Sequence, residues 1–143
     1  MYQMVYTSKA SEDILIDSER HISNILDKAK KNNLDMSVTG LLIYNSGYFL
    51  QLLEGSKESV NKIYQKIAKD QRHSTIKVIL KQEANSRIFE NWAMASCNLD
   101  IVSDHHFFKN EKAKKILQSC LEGEIVDEFK ILDLFEFFRI NYK

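Results

Sequence analysis

A carboxamide stands where strand periodicity asks for an apolar side chain. In Tyr48-Phe49-Leu50-Gln51-Leu52-Leu53-Glu54 the two-residue period of a β-strand directs Phe49, Gln51 and Leu53 to one face. Burying an unpaired amide costs roughly 1–3 kcal/mol, so either the fold or a bound ligand must give Gln51 polar partners. Other reactive residue types are arranged less informatively. Asp104-His105-His106 sets two imidazoles side by side, but adjacent histidines on a polar loop do not converge on a metal without further ligands, and a solvated loop is expected. Cys97 and Cys120 lie far apart without metal spacing and read as reduced thiols. Lys112-Ala113-Lys114-Lys115 reads as the wet side of a helix.

The chain has 143 residues, enough for one domain with a substantial core. Twenty basic and twenty acidic residues cancel, which removes the electrostatic footprint of a nucleic-acid binder or a polybasic membrane anchor. The apolar runs are too short to span a bilayer, and Met1-Tyr2-Gln3-Met4 lacks the order of a signal peptide. A cytoplasmic protein is expected. There is no proline, so turns must rely on Gly, Asn, Asp and Ser, as at Asn45-Ser46-Gly47.

The elements that position Gln51 can be read from periodicity. Residues 2 to 8 alternate Tyr2, Met4, Tyr6 and Ser8 against Gln3, Val5 and Thr7, the pattern of a half-buried strand. A polar loop leads to a helix capped by Asp17 or Ser18, with Ile22, Ile25, Leu26 and Ala29 in one stripe and an end near Asn32-Asn33. Residues 37–44 and 48–54 suit an antiparallel hairpin. Ser56 can cap a second helix with Val60, Ile63, Tyr64 and Ile67 on its apolar side. Ile76, Val78 and Leu80 mark a fourth strand, and Trp92 to Asn98 a fifth. The order β-α-β-β-α-β-β predicts a ferredoxin-like α+β sandwich with both helices on one face of a mixed sheet. Two C-terminal helical stretches, one holding Ala113, Ile116, Leu117 and Cys120 and one running from Phe129 to Tyr142, are expected to cover the other face, dock on another subunit, or both. The second stretch is apolar on more than one side.

Several of these residues fall into a known order. Tyr6-Thr7-Ser8, Asn33 followed by Thr39-Gly40-Leu41-Leu42, Phe49 through Gly55, Asp70-Gln71-Arg72-His73 and Phe89-Glu90-Asn91-Trp92-Ala93-Met94 together resemble the BLUF domain, the blue-light sensor using flavin. The likeness covers residues 1–100, leaving 101–143 as a C-terminal helical cap or interaction segment. It implies a noncovalent FAD, with FMN or riboflavin as alternatives, held between the two helices with its ring edge toward the sheet. It further implies that Tyr6 and Gln51 are the photoactive pair and that Asn33 bonds the ring's polar edge with Asn32 beside it. By the same resemblance Ser8, Ile25, Ala29, Phe49 and His73 belong to the flavin site, and Trp92 and Met94 transmit the signal. Lys30, Lys31 and Arg72 are separate candidates for the flavin phosphates on charge alone.

The chemistry suits these residue types. A phenol with a pKa near about 10 is a neutral hydrogen-bond donor that can also lose an electron, and an amide carries a donor and an acceptor that rotation or tautomerisation exchanges. The expected protein is a photoreceptor without an enzymatic output domain, acting through an unknown protein partner and forming a homo-oligomer, with neither nucleic acid nor membrane as partner. The alternatives are a flavin-dependent redox enzyme, which no G-x-G-x-x-G fingerprint supports, and a light-insensitive interaction module of the same fold.

Overall fold

Alternating β-branched and aromatic residues build a five-stranded sheet, and two amphipathic helices cross one side of it. The computed structural model describes residues 1–101 and 106–142. The elements run β1 (Tyr2–Ala10), α1 (Glu12–Ile16), α2 (Ser18–Asp35), β2 (Thr39–Asn45), β3 (Tyr48–Gly55), α3 (Lys57–Ala68), β4 (His73–Glu83), β5 (Ala95–Asn98), α4 (Glu111–Leu121) and α5 (Glu128–Asn141). Sheet order is β4-β1-β3-β2-β5, antiparallel throughout except for the β2–β5 pair. This is the expected α+β sandwich.

The helices begin and end for local reasons. Ser56 Oγ accepts the Ser59 N–H at 3.1 Å and opens α3, and Asn110 and Asp127 cap α4 and α5 in the same way. Asp17 precedes α2 without such a bond and pairs with Arg20 at 3.1 Å. At the end of α4, Gly123 has φ 76°, and the Gly123 and Glu124 N–H groups close a Schellman motif on Cys120 and Ser119. The short helix α1 occupies the stretch expected to be loop; at five residues it is too brief to show periodicity, and Ile14 alone anchors it in the core.

Two cores lie on opposite sides of the sheet. Met4, Tyr6, Leu42, Phe49 and Leu53 face α2 and α3, joined by Ile22, Val60 and Ile63. Val5, Leu41, Ile43, Leu50 and Leu52 face α4 and α5, joined by Leu117, Cys120, Leu134, Phe135 and Phe138. β1 is therefore buried on both faces, not the half-buried strand expected, because the C-terminal helices close the second side. The Cys120 thiol, pushed up to about 11 by burial, is a protonated core group. On α5 burial follows one stripe, Ile131, Leu134, Phe135 and Phe138, while Phe129 and Ile140 face solvent, so burial on several sides is not reached within one chain. Among the described residues no helix is long and apolar enough to cross a membrane, and no three potential metal ligands gather; Asp104 and His105 lie outside the described residues.

Candidate functional site

Tyr6 and Gln51 meet because β1 and β3 pair with these residues directly opposite each other. Opposed residues of an antiparallel pair share a face with Cβ atoms about 5 Å apart, close enough for side-chain contact. The Tyr6 hydroxyl donates to Gln51 Oε1, and Gln51 Nε2 donates to Met94 Sδ at 3.2 Å. Both ends of the amide are therefore engaged by protein groups. Burial, reinforced by Tyr64 and Asp70 nearby, drives the Tyr6 phenol far above its ordinary pKa, so it is a neutral donor.

His73, at the head of β4, ties three elements together. Its Nε2 is 2.6 Å from the Ile67 carbonyl, which can only accept, and its Nδ1 is 2.8 Å from Ser8 Oγ. The Nε2–H tautomer satisfies both contacts, with the Ser8 hydroxyl as donor to Nδ1. The ring lies edge-on to Tyr6 with centroids 6.3 Å apart.

A cleft of about 470 Å³ opens between α2 and α3, lined by Ile25, Ala29, Asn32 and Asn33 on one side, Ile63 and Ile67 on the other, and Gln51 at its floor. A narrower cavity of about 70 Å³ shares Ile25, Ala29, Gln51 and Ile67 with it and extends to Tyr6, Phe49, His73 and Met94. Ile25, Ala29 and Ile67 stay only partly buried although they sit on the apolar stripes of their helices. That is what a flat aromatic ligand would cover. Asn33 is 1% exposed and its Nδ2 donates to the Ala93 carbonyl at 2.7 Å. Apolar walls, amides at the floor and lysines at the mouth fit a flavin ring with a phosphorylated tail.

The cations differ from expectation. Lys30 is exposed and lines a separate groove with Leu34, Trp92 and Tyr142, because a two-residue step turns the side chain to the far side of α2. Lys31 is likewise exposed. Arg72 lines the cleft, but its Nε lies 2.9 and 3.1 Å from the two Asp70 oxygens, so its charge is already paired. The hydrogen bonds from Arg72 hold the Asp70 carboxyl below its usual range. The lysines that line the cleft are Lys28, Lys66 and Lys69. Helical spacing contains that signal: Lys28 follows Ile25 by three residues and precedes Asn32 by four.

Trp92 and Met94 are not in the fifth strand, which starts at Ala95. Met94 is 2% exposed in the core beneath α2 and α3, against Gln51. Trp92 turns to the other side, packs on Phe89 with ring centroids 5.0 Å apart, and joins the core beneath α4 and α5. The structure thus brings Tyr6, Ser8, Gln51, His73 and Met94 into one site and leaves Trp92 outside it. Glu54, fully buried on the opposite face of β3, was not singled out by sequence; only its position on a strand otherwise apolar there hinted at a role.

Residues 1–95 match the family described as BLUF, sensors of blue-light using FAD. The chain belongs to the BLUF family. Its relatives include the blue light- and temperature-regulated antirepressor BluF of Escherichia coli (strain K12), 35% identical over 86 residues, 60% of this chain and 21% of that protein. Photoactivated adenylate cyclase subunit alpha of Euglena gracilis is 26% identical over 107 residues, 75% of this chain and 10% of that protein. The BLUF chain thus spans a small part of these relatives. A bacterial light-regulated adenylyl cyclase superposes with a TM-score of 0.72 at 34% identity, covering 93% of this chain and 35% of that one. BlrB, a BLUF protein in its dark state, shares the fold with a TM-score of 0.75 at 19% identity, covering 97% and 95% of the two chains. As a BLUF protein the chain is a flavin-type blue-light photoreceptor.

Proposed function

We propose that this BLUF photoreceptor responds to light by electron and proton loss from Tyr6, relayed by rearrangement of Gln51 beside a noncovalent FAD, and reports it through protein association. The observation that carries the reading is the chain of contacts from the Tyr6 hydroxyl to Gln51 Oε1 and from Gln51 Nε2 to Met94 Sδ at the floor of the cleft. When bound, a flavin supplies absorption of blue light and an excited state that oxidises a phenol. Tyr6 would give an electron to that excited state and its proton along the existing bond toward Gln51 Oε1, and would recover both once Gln51 has rearranged. Rotation or tautomerisation of Gln51 then exchanges the amide ends offered to Met94 and to the cleft. A donor newly turned toward the cleft stabilises the ligand's excited state more than its ground state, which moves absorption to the red.

Ile25, Ala29 and Phe49 would hold the ring's faces, Asn32 and Asn33 its polar edge, and Ser8 would act through His73. Lys28, Lys66 and Lys69 suit the diphosphate of FAD in place of Lys30, Lys31 and Arg72. Residues 1–100 form the sensing unit in this reading, and 101–143 the segment through which a partner or a second copy is met; the exposed Phe129 and Ile140 support that role. Output by association instead of catalysis, and a cytoplasmic location, belong to the same proposal. The test is the visible spectrum before and after blue light. Flavin bands of the wild type should move reversibly to longer wavelength, and Tyr6→Phe should abolish the shift; a Tyr6→Phe protein that photocycles normally refutes the assignment. Chromatography of the released cofactor distinguishes FAD from FMN and riboflavin.

A further inference from the structure

We infer that Glu54 anchors the segment before β5, as a positioning residue that converts rearrangement at Gln51 into displacement of Trp92. The inference rests on the photochemical reading of Tyr6 and Gln51 and adds to it the fixed point against which the signal is registered.

Glu54 is wholly buried, yet it is a carboxylate. Such a group is expensive to bury and persists only where hydrogen bonds satisfy it. Its Oε2 accepts from Gln3 Nε2 at 2.9 Å and from the Ile88 N–H at 2.8 Å, and its Oε1 accepts from the Phe89 N–H at 2.9 Å. Gln82 Nε2 donates to Gln3 Oε1 at 2.9 Å, which turns the Gln3 amide nitrogen toward Glu54. Arg87 adds a second fastening: Nη1 donates to the Glu54 carbonyl at 3.0 Å and to Thr39 Oγ1 at 2.9 Å, and Nη2 to the Ser37 carbonyl at 2.8 Å. The root of the segment is therefore sewn to the end of the strand that carries Gln51.

Beyond Phe89 the chain has no regular structure until Ala95. It is held there by Gly40 N–H to the Trp92 carbonyl at 3.0 Å, by Asn33 Nδ2 to the Ala93 carbonyl and by Gln51 Nε2 to Met94 Sδ. Two of these three links come from amides of the cleft. A thioether cannot donate, so when the Gln51 nitrogen turns away, Met94 loses that partner and the far end of the segment keeps only the Gly40 and Asn33 links. Because Glu54 keeps Phe89 in place, the slack falls on residues 90–94, and Trp92 moves relative to a fixed Phe89 ring. Without the anchor both rings drift together.

Trp92 is the chain's single tryptophan, so iodide quenching of its fluorescence in the flavin-loaded protein reads how far the ring is uncovered as it leaves Phe89. Glu54→Gln offers an acceptor to only one of the Ile88 and Phe89 N–H groups. The expected result is a wild-type red shift with the light–dark difference in Trp92 quenching reduced about fivefold, the equivalent of roughly one hydrogen bond. Arg87→Gln, at the partly exposed edge of the same anchor, should reduce it in the same direction and serves if Glu54→Gln does not fold. Either folded variant with an undiminished light–dark difference overturns the inference, as does a Glu54→Gln protein that binds flavin but loses its red shift. A wild type that red-shifts without any change at Trp92 overturns it too and leaves the Tyr6 reading standing, whereas a wild type with no red shift sinks both.

Discussion

Gln51 suits the proposed relay because its two amide ends meet different partners, Oε1 accepting from a phenol and Nε2 donating to a thioether. Neither leucine nor glutamate offers that pair of complementary ends. The Tyr6 phenol has a further consequence for stability. In the unfolded chain it ionises near pH of about 10, while burial keeps it protonated well above that in the fold. The unfolded state sheds its proton first, so stability present below about pH 10 is lost as pH rises beyond it. Tyr44, raised chiefly by burial, adds in the same direction. Tyr6→Phe should flatten the alkaline loss by up to about 1.4 kcal/mol per pH unit, measured by urea unfolding between about pH 9 and 11. An unchanged slope would show that Tyr6 titrates in the fold like a free phenol. The oddity of Gln51 and the strand face of Tyr6 were legible from the chain alone. The phosphate candidates chosen on charge were not, because charge says nothing of which side of α2 a lysine leaves, whereas helical spacing does.

At the scale of elements, the hairpin and helix caps follow local chemistry, and the register depends on close approach. Ser46 and Gly47, with φ 47° and 87°, make the two-residue turn with both central angles positive that matches strand twist. At Gly40 an added Cβ would lie 1.9 Å from the Leu52 carbonyl oxygen, a backbone atom that cannot move aside. Gly40→Ala should therefore cost about 3 kcal/mol, read from thermal or urea unfolding, and a near-neutral result would contradict the β2–β3 pairing described here. The alternation of Trp92 and Met94 with alanines imitates a strand. Before Ala95 the links are irregular, from the Gly40 N–H of β2 to the Trp92 carbonyl and from the Asn33 side chain to the Ala93 carbonyl, and the regular ladder starts at Ala95. Periodicity cannot reveal which partner a backbone carbonyl will choose.

At the scale of the molecule, one sheet separates a core that contains the cleft between α2 and α3 from a core that contains the C-terminal helices. Phe135 is fully buried in the second core, among residues of the same strands that carry Tyr6 and Gln51 on their other face. Phe135→Ala should cost about 3–5 kcal/mol, and flavin release and loss of secondary structure should coincide on heating. A helical segment that melts ahead of the flavin site would show two units in place of one. The amino-acid order alone indicated most of the strands and helices and the faces their side chains take, though not α1 or the start of β5, because pleat and helical repeat act over a few neighbouring residues. It also supplied the joint pattern of tyrosine, asparagine, glutamine, tryptophan and methionine. That Tyr6 stands opposite Gln51, that Met94 points into the site while Trp92 points away, and that Glu54 fastens the segment between them was decided only by tertiary structure. Those relations depend on strand register and on hydrogen bonds between residues dozens of positions apart, which no local preference encodes.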